Sequence, residues 1–256
     1  MLIDTHLHLY KEYYKDIDKV IKEAKENKVY YLINNGCEKN SNIEVIKSID
    51  KYQNVYGAIG IHPEEVENYS LEDIEYIKNN IDNAKIVAIG EIGLDYHYSK
   101  DNKEKQKELF AKQLMIAEEN KLPVIVHSRE ATEDTINILK KYKVKGVIHS
   151  FSGSLEVAKI YINMGFLLGI NGVITFKNCN LKDIIKDIGL KNIILETDAP
   201  YLTPVPNRGK QNAPKYILDT AKFVADILNM SLEEVATITT NNVKKLYTKM
   251  VIEENQ

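Results

Sequence analysis

Four histidines and two carboxylates stand at or just past the ends of short apolar runs: His6, His8, Glu91, His127, His149 and Asp198. Imidazole and carboxylate are the groups that hold divalent cations and move protons near neutral pH. The chain has only 6 histidines, and four of them fall in this one pattern. In His6-Leu7-His8 the two imidazoles lie two residues apart on a strand and so face the same side. Taken singly, a strand-end histidine reads most simply as a hydrogen-bonded structural residue, because burying an unpaired imidazole is costly. Four of them at equivalent strand ends beside two carboxylates point instead to one shared cation centre. Six donors exceed the three protein ligands of a common catalytic zinc. The surplus predicts two divalent metal ions about 3.5–4 Å apart with a carboxylate between them. Zinc, manganese, iron and magnesium all suit such a donor mixture. Glu196, two residues before Asp198, is expected to support the centre rather than bind a cation.

Donors spread over almost the whole chain can meet only if the elements carrying them close on one another. Eight apolar stretches of strand length lie at 2–5, 29–34, 55–60, 86–91, 124–127, 146–149, 166–170 and 193–197. Continuous rather than alternating apolar runs suit parallel strands covered on both faces. Between them lie segments with helical spacing, such as Phe110, Leu114 and Ala117, or Ile217, Ala221, Val224 and Leu228. Ser41–Glu44 and Ser231–Glu234 have the form of capping boxes that start helices. At 256 residues the chain has the length of an α/β fold of the (β/α)8 TIM-barrel type, read as one domain over 1–256. Its functional face is the C-terminal rim of the strands. Residues 200–214 follow the last strand as a long Pro-bearing connection, and long loops in compact domains are usually functional.

Net charge of −3 gives no global attraction for polyanions, so any nucleic-acid contact must be local. Of 34 basic residues only two, Arg129 and Arg208, are arginine, and both fall in loops expected at that rim. Planar forks there match phosphate oxygens or carboxylates, so both are candidate substrate contacts. His62, after the third strand, is a further candidate contact, and Asp95 and His97 belong either to the rim or to loop packing. Tyr201 is placed to stack on a base. Cys37 and Cys179 lack metal-motif spacing and read as reduced thiols of a cytoplasmic protein. No secretion signal opens the chain and no run has the length of a membrane span.

The motifs His6-Leu7-His8, Gly90-Glu91-Ile92-Gly93-Leu94-Asp95-Tyr96, His127-Ser128-Arg129, His149-Ser150-Phe151-Ser152-Gly153 and Glu196-Thr197-Asp198-Ala199-Pro200-Tyr201-Leu202 resemble those of the TatD family of metal-dependent deoxyribonucleases. The likeness runs from residue 2 to about Leu246, and five motifs in order make it specific. The resemblance implies an amidohydrolase-like barrel in which His6, His8 and Asp198 hold one cation, His127 and His149 the other, and Glu91 bridges. Two departures stand out. Ser150 replaces a frequent Cys, and Gln211 and Ala213 each replace a charged residue in the loop after Arg208, which bears on substrate recognition there.

Such a centre would ready a water for attack on phosphorus, with Asp198 as general base and Arg129 or Arg208 facing the phosphoryl oxygens. A duplex interior cannot enter such a pocket, so the expected substrate is DNA in single strands or frayed ends, cut exonuclease-fashion. The alternative keeps the centre and moves the attack to carbon, as in a D-aminoacyl-tRNA deacylase. No stable protein partner is inferred.

Overall fold

The computed structural model describes residues 1–98 and 101–253. Eight strands follow in chain order around one sheet: β1 (Leu2–Leu7), β2 (Val29–Asn35), β3 (Val55–Ile59), β4 (Ile86–Asp95), β5 (Val124–Arg129), β6 (Gly146–Ile148), β7 (Leu167–Ile170) and β8 (Ile193–Leu195). Every neighbouring pair is parallel. The helices are α1 (Ile17–Glu26), α2 (Lys39–Lys51), α3 (Leu71–Asn80), α4 (Lys103–Glu119), α5 (Thr132–Leu139), α6 (Leu155–Asn163), α7 (Leu181–Ile188), α8 (Ile217–Leu228) and α9 (Leu232–Leu246). The expected (β/α)8 TIM barrel is the observed fold. No described helix is long and apolar enough to cross a membrane.

Barrel closure and assembly of the donors use the same hydrogen bonds. Leu7 bridges Ala199 in parallel, the His8 amide donates to the Ala199 carbonyl at 2.7 Å, and the Asp198 amide donates to the His6 carbonyl at 2.8 Å. Thr5 Oγ1 donates to the Leu195 carbonyl at 2.9 Å. Asp4, buried in β1, accepts from the Thr197 amide at 2.9 Å and the Thr197 hydroxyl at 2.5 Å. Burial lifts the Asp4 carboxyl to about 8, although both Thr197 donors pull it down. The seam between first and last strands therefore fixes His6, His8 and Asp198 relative to one another.

Two apolar layers support the seam. Ile125, Val147 and Ile194 belong to a cluster closed off by Val243, Tyr247 and Met250 from α9 and the segment after it. Each of these three lies two residues before a site residue (His127, His149, Glu196) and so shares its side of the strand. The larger cluster joins the strands to the helices, with Phe110, Leu114 and Ala117 of α4 and Ile217, Ala221 and Val224 of α8 all buried. At about 25 cal/mol per Å² of apolar surface, such burial is the main favourable term in folding.

Two local expectations change. Ser231 caps α9 through the expected box with Glu234, but Ser41 is not the cap of α2. Glu38 is, because its carboxylate accepts from the amides of Asn40 and Ser41, and Ser41 returns its hydroxyl to Glu38. Glu44 instead pairs with Lys47 on the helix surface. Likewise β4 does not stop at Glu91 but runs on to Asp95, paired with β5 as far as Asp95↔Arg129. Gly93 makes this possible: with φ at 145°, a Cβ there would stand 2.0 Å from the His127 carbonyl oxygen.

Candidate metal centre

Glu91 sits on β4 with its two carboxylate oxygens facing different imidazoles. Oε2 lies 3.3 Å from His6 Nε2 and 3.8 Å from His8 Nε2. Oε1 lies 3.0 Å from His127 Nδ1, 3.8 Å from His149 Nε2 and 3.6 Å from His62 Nε2. Asp198 Oδ1 completes the first group at 3.7 Å from His6 Nε2 and 3.5 Å from His8 Nε2. It also comes within 3.7 Å of His149 Nε2. Donors about 2.0–2.2 Å from one tetrahedral ion stand roughly 3.3–3.6 Å apart, and the 3.0–3.8 Å separations here bracket that spacing, with His6, His8 and Asp198 gathered as one group and His62, Glu91 and His127 as another. His6 supplies a second test of fit. Its side chain is 0% exposed, and neither ring nitrogen has a hydrogen-bond partner. A buried imidazole left so is costly in an empty pocket and satisfied by a cation.

The second nitrogens of His8, His127 and His149 face groups behind them, as is usual for ligating histidines. His8 Nδ1 faces the Asn35 carbonyl at 3.1 Å and the Tyr10 hydroxyl at 3.2 Å, leaving Nε2 to point inward. His127 Nε2 pairs with Asp95 Oδ2 at 2.9 Å. His149 Nδ1 lies 2.9 Å from Glu196 Oε1, which also accepts the Ser150 amide at 2.7 Å. Gly169 makes room for this acid, since a Cβ there would lie 2.3 Å from Glu196 Oε2. Ser150 (φ 48°) and Asp198 (φ 58°) both hold left-handed backbone. That conformation costs about 1–2 kcal/mol in a residue with a Cβ. The Ser150–Glu196 and Asp198–His6 bonds hold it in place.

Protonation follows from these contacts. Burial, reinforced by His149, pushes His6 below its usual value, leaving it neutral and able to coordinate. Burial and then His127 push His62 down to about 3. For His127 burial works downward, but the bonds to Asp95 and Glu91 outweigh it and lift the ring to about 9. Burial opposes the charge on His149 too, yet Glu196, Asp198 and Glu91 raise it to about 10. Burial would raise Glu91 and Asp198, but the surrounding imidazoles hold both carboxylates below their usual range.

The centre floors a cavity of about 1050 Å³. His8, His62, Glu91, His127, His149, Asp198 and Arg129 line it, while His6 is fully buried. Arg129 also stacks its guanidinium 5.1 Å from the Tyr98 ring centre. Arg208 is not on this wall: it lies exposed, 4.2 Å over the Phe176 ring. Asp95 joins the centre through His127, whereas His97 pairs outward with Glu130 at 2.7 Å.

Sequence reasoning missed three contributors. Cys37 Sγ lies 3.8 Å from both Glu91 Oε2 and His8 Nδ1; its place just after β2, at the same rim, was the available signal. Asn35 offers only a carbonyl, which no side-chain motif reveals. Asn212, 0% exposed, donates to the Thr197 carbonyl at 3.0 Å and to the Tyr201 carbonyl at 2.5 Å, pinning the segment on both sides of Asp198.

Comparison with known proteins agrees with this architecture. The family described as TatD related DNase matches residues 3–248. The chain is 42% identical over 252 residues to the uncharacterized metal-dependent hydrolase YabD of Bacillus subtilis strain 168, covering 96% of this chain and 99% of that one. It is 32% identical to human deoxyribonuclease TATDN3, covering 97% and 95% of the two chains. The crystal structure of YJJV, a TatD homolog from Escherichia coli K12, superposes with a TM-score of 0.90 at 30% identity, covering 96% and 98%. With its barrel, its donor set and these relatives in agreement, the chain belongs to the TatD family of metal-dependent hydrolases.

Proposed function

We propose that this protein is a deoxyribonuclease that hydrolyses phosphodiester bonds from single-stranded or frayed DNA ends, using two divalent cations. The observation that carries the reading is the division of Glu91, one oxygen toward His6 and His8 and the other toward His127 and His149. His6, His8 and Asp198 would hold one cation, His127 and His149 the other, with Glu91 shared. Zinc, manganese and magnesium all remain compatible with these donors. Bound cations would supply a readily deprotonated water and draw charge from the phosphoryl oxygens.

The chain's own residues do the rest. Asp198, ionised and only 14% exposed at the side chain, accepts the proton of the attacking water. His62 Nδ1 accepts the Glu64 amide at 3.3 Å, so the neutral ring presents Nε2–H inward to a phosphoryl oxygen. Arg129, on the same wall, faces the remaining charge. A stacked duplex cannot bring an internal phosphate down to Glu91, which favours ends over internal cutting. The name of the human relative as a deoxyribonuclease supports DNA as substrate. The free thiols of Cys37 and Cys179 support a reducing, cytoplasmic setting.

Digestion of end-labelled single-stranded DNA tests the reading. Products should shorten stepwise from one end, cease with a chelator and return with manganese, magnesium or zinc. Asp198→Asn should cut turnover about 10²–10⁴-fold while strand binding survives. Predominantly internal cleavage, or an Asp198→Asn protein that carries its cations and keeps most of its activity, would refute it.

A further inference from the structure

Beside the centre stands an aromatic pair of which one ring, Tyr13, also packs against the core, whereas the other, Tyr201, belongs neither to the core nor to the cation donors. Tyr13 and Tyr201 both line the cavity, with ring centres 5.9 Å apart at an interplanar angle of 72°. The Tyr201 hydroxyl donates to the Tyr13 hydroxyl at 2.9 Å. Tyr201 lies 6.2 Å, ring to ring, from His8. Of the two other tyrosines lining the cavity, Tyr10 is buried and committed to the Asn35 carbonyl, and Tyr98 faces Arg129.

Tyr201 differs in being 51% exposed. Its backbone is nevertheless held, because Asn212 donates to its carbonyl and its own amide donates to the Asp198 carbonyl at 2.8 Å. Gln211 holds Tyr13 in the same way through its carbonyl at 2.8 Å. A half-exposed aromatic on a pinned backbone beside a reactive centre offers a fixed apolar face on which a flat ligand can stack. The charges of the mouth say which part of a substrate it takes. Among the described residues, five carboxylates beyond those of the centre (Glu12, Glu38, Glu44, Glu64 and Glu65) line the cavity against two cations, Lys11 and Arg129. A run of phosphates gains little from such a wall, whereas an uncharged base loses nothing there and stacks on any aromatic face.

We propose that Tyr13 and Tyr201 form the platform for the unpaired nucleobase of the terminal nucleotide, while its phosphodiester lies at the metal centre. The proposal rests on the phosphodiesterase reading and adds to it the group that recognises a strand end. Base stacking of this kind is sequence-tolerant, so any of the four bases would serve.

The test measures binding of cation-loaded protein to two short single strands with hydrolysis-resistant phosphorothioate linkages. One ends in 2-aminopurine and the other in an abasic sugar. The native protein should bind the base-ended strand about 5- to 100-fold more tightly, with the 2-aminopurine emission quenched by stacking. Tyr201→Ala should erase both the preference and the quenching, and Tyr201→Phe should keep most of each. Equal binding of the two strands by native protein, or a preference that survives Tyr201→Ala, overturns the platform alone. Failure of the native protein to bind either strand overturns the nucleic-acid reading together with it.

Discussion

Replacing Glu196 with Gln removes one charge from behind the centre while keeping its shape. Glu196 is 0% exposed, accepts the Ser150 amide at 2.7 Å and lies 2.9 Å from His149 Nδ1. A Gln oxygen can still accept from Ser150, and the cleft beside Gly169 fits an amide of equal size, so the barrel should fold. What is lost is the carboxylate that orients His149 and makes it a better donor. Loss of such a partner typically costs 10–100-fold in cation affinity, about 1.4–2.8 kcal/mol. The cation-free protein gives a second readout. His149 rises from 6.5 to about 10, with Glu196 the largest upward cause. A histidine raised in this way adds stability that is whole below about pH 6.5 and lost as pH climbs through about 10. The full shift corresponds to roughly 5 kcal/mol, of which Gln should remove a share. Competition against a chromogenic chelator would measure affinity, and denaturant unfolding of the stripped protein at about pH 7 and 10 would measure linkage. Native affinity in Glu196→Gln, together with an unfolding gap that does not narrow toward pH 10, would refute the assigned role.

Asp4 should show the same direction of pH dependence, from an acid held neutral rather than a base held charged. Its carboxyl is raised by burial from 3.8 to about 8, so its contribution is whole below about pH 3.8 and lost as pH rises through 8. Asp4→Asn, which cannot ionise, should therefore gain on the native protein by up to about 1.4 kcal/mol per pH unit across that window. Parallel stability curves for the two stripped proteins would count against it. Salt dependence checks the charge of the mouth. With Lys11 and Arg129 the cationic residues of the cavity wall among those described, log affinity for a short single strand should fall with log salt at a slope of about −1.4. A slope steeper than about −4 would show that a basic surface elsewhere carries the strand.

The donors were legible because their signal is local. His6-Leu7-His8 declares its facing through the two-residue period of a strand, and Val147–His149 and Ile194–Glu196 do the same. Glu196 was legible as a support by its step from Asp198. Other features were not. Arg208 shares its rarity with Arg129, yet one lies over Phe176 and the other on the cavity wall, a difference fixed by the path of the loop after β8. The true length of β4 depended on Gly93 fitting against the His127 carbonyl, a contact with another strand. Capping of α2 was misread because Ser41 can lead a box with Glu44 or close one led by Glu38, and only the extended backbone at Glu38 decides between them.

By itself the sequence determined the fold class, the donor types and the side of each strand on which most of them stand, because each of these depends on backbone geometry over a few residues. Tertiary structure alone decided which oxygen of Glu91 faces which imidazole, that Cys37 and Asn35 come up against His8, and that Asp4 and Thr197 knit the seam fixing Asp198 beside His6. Those distances are set by register and closure between strands up to 193 residues apart, and no local pattern encodes them.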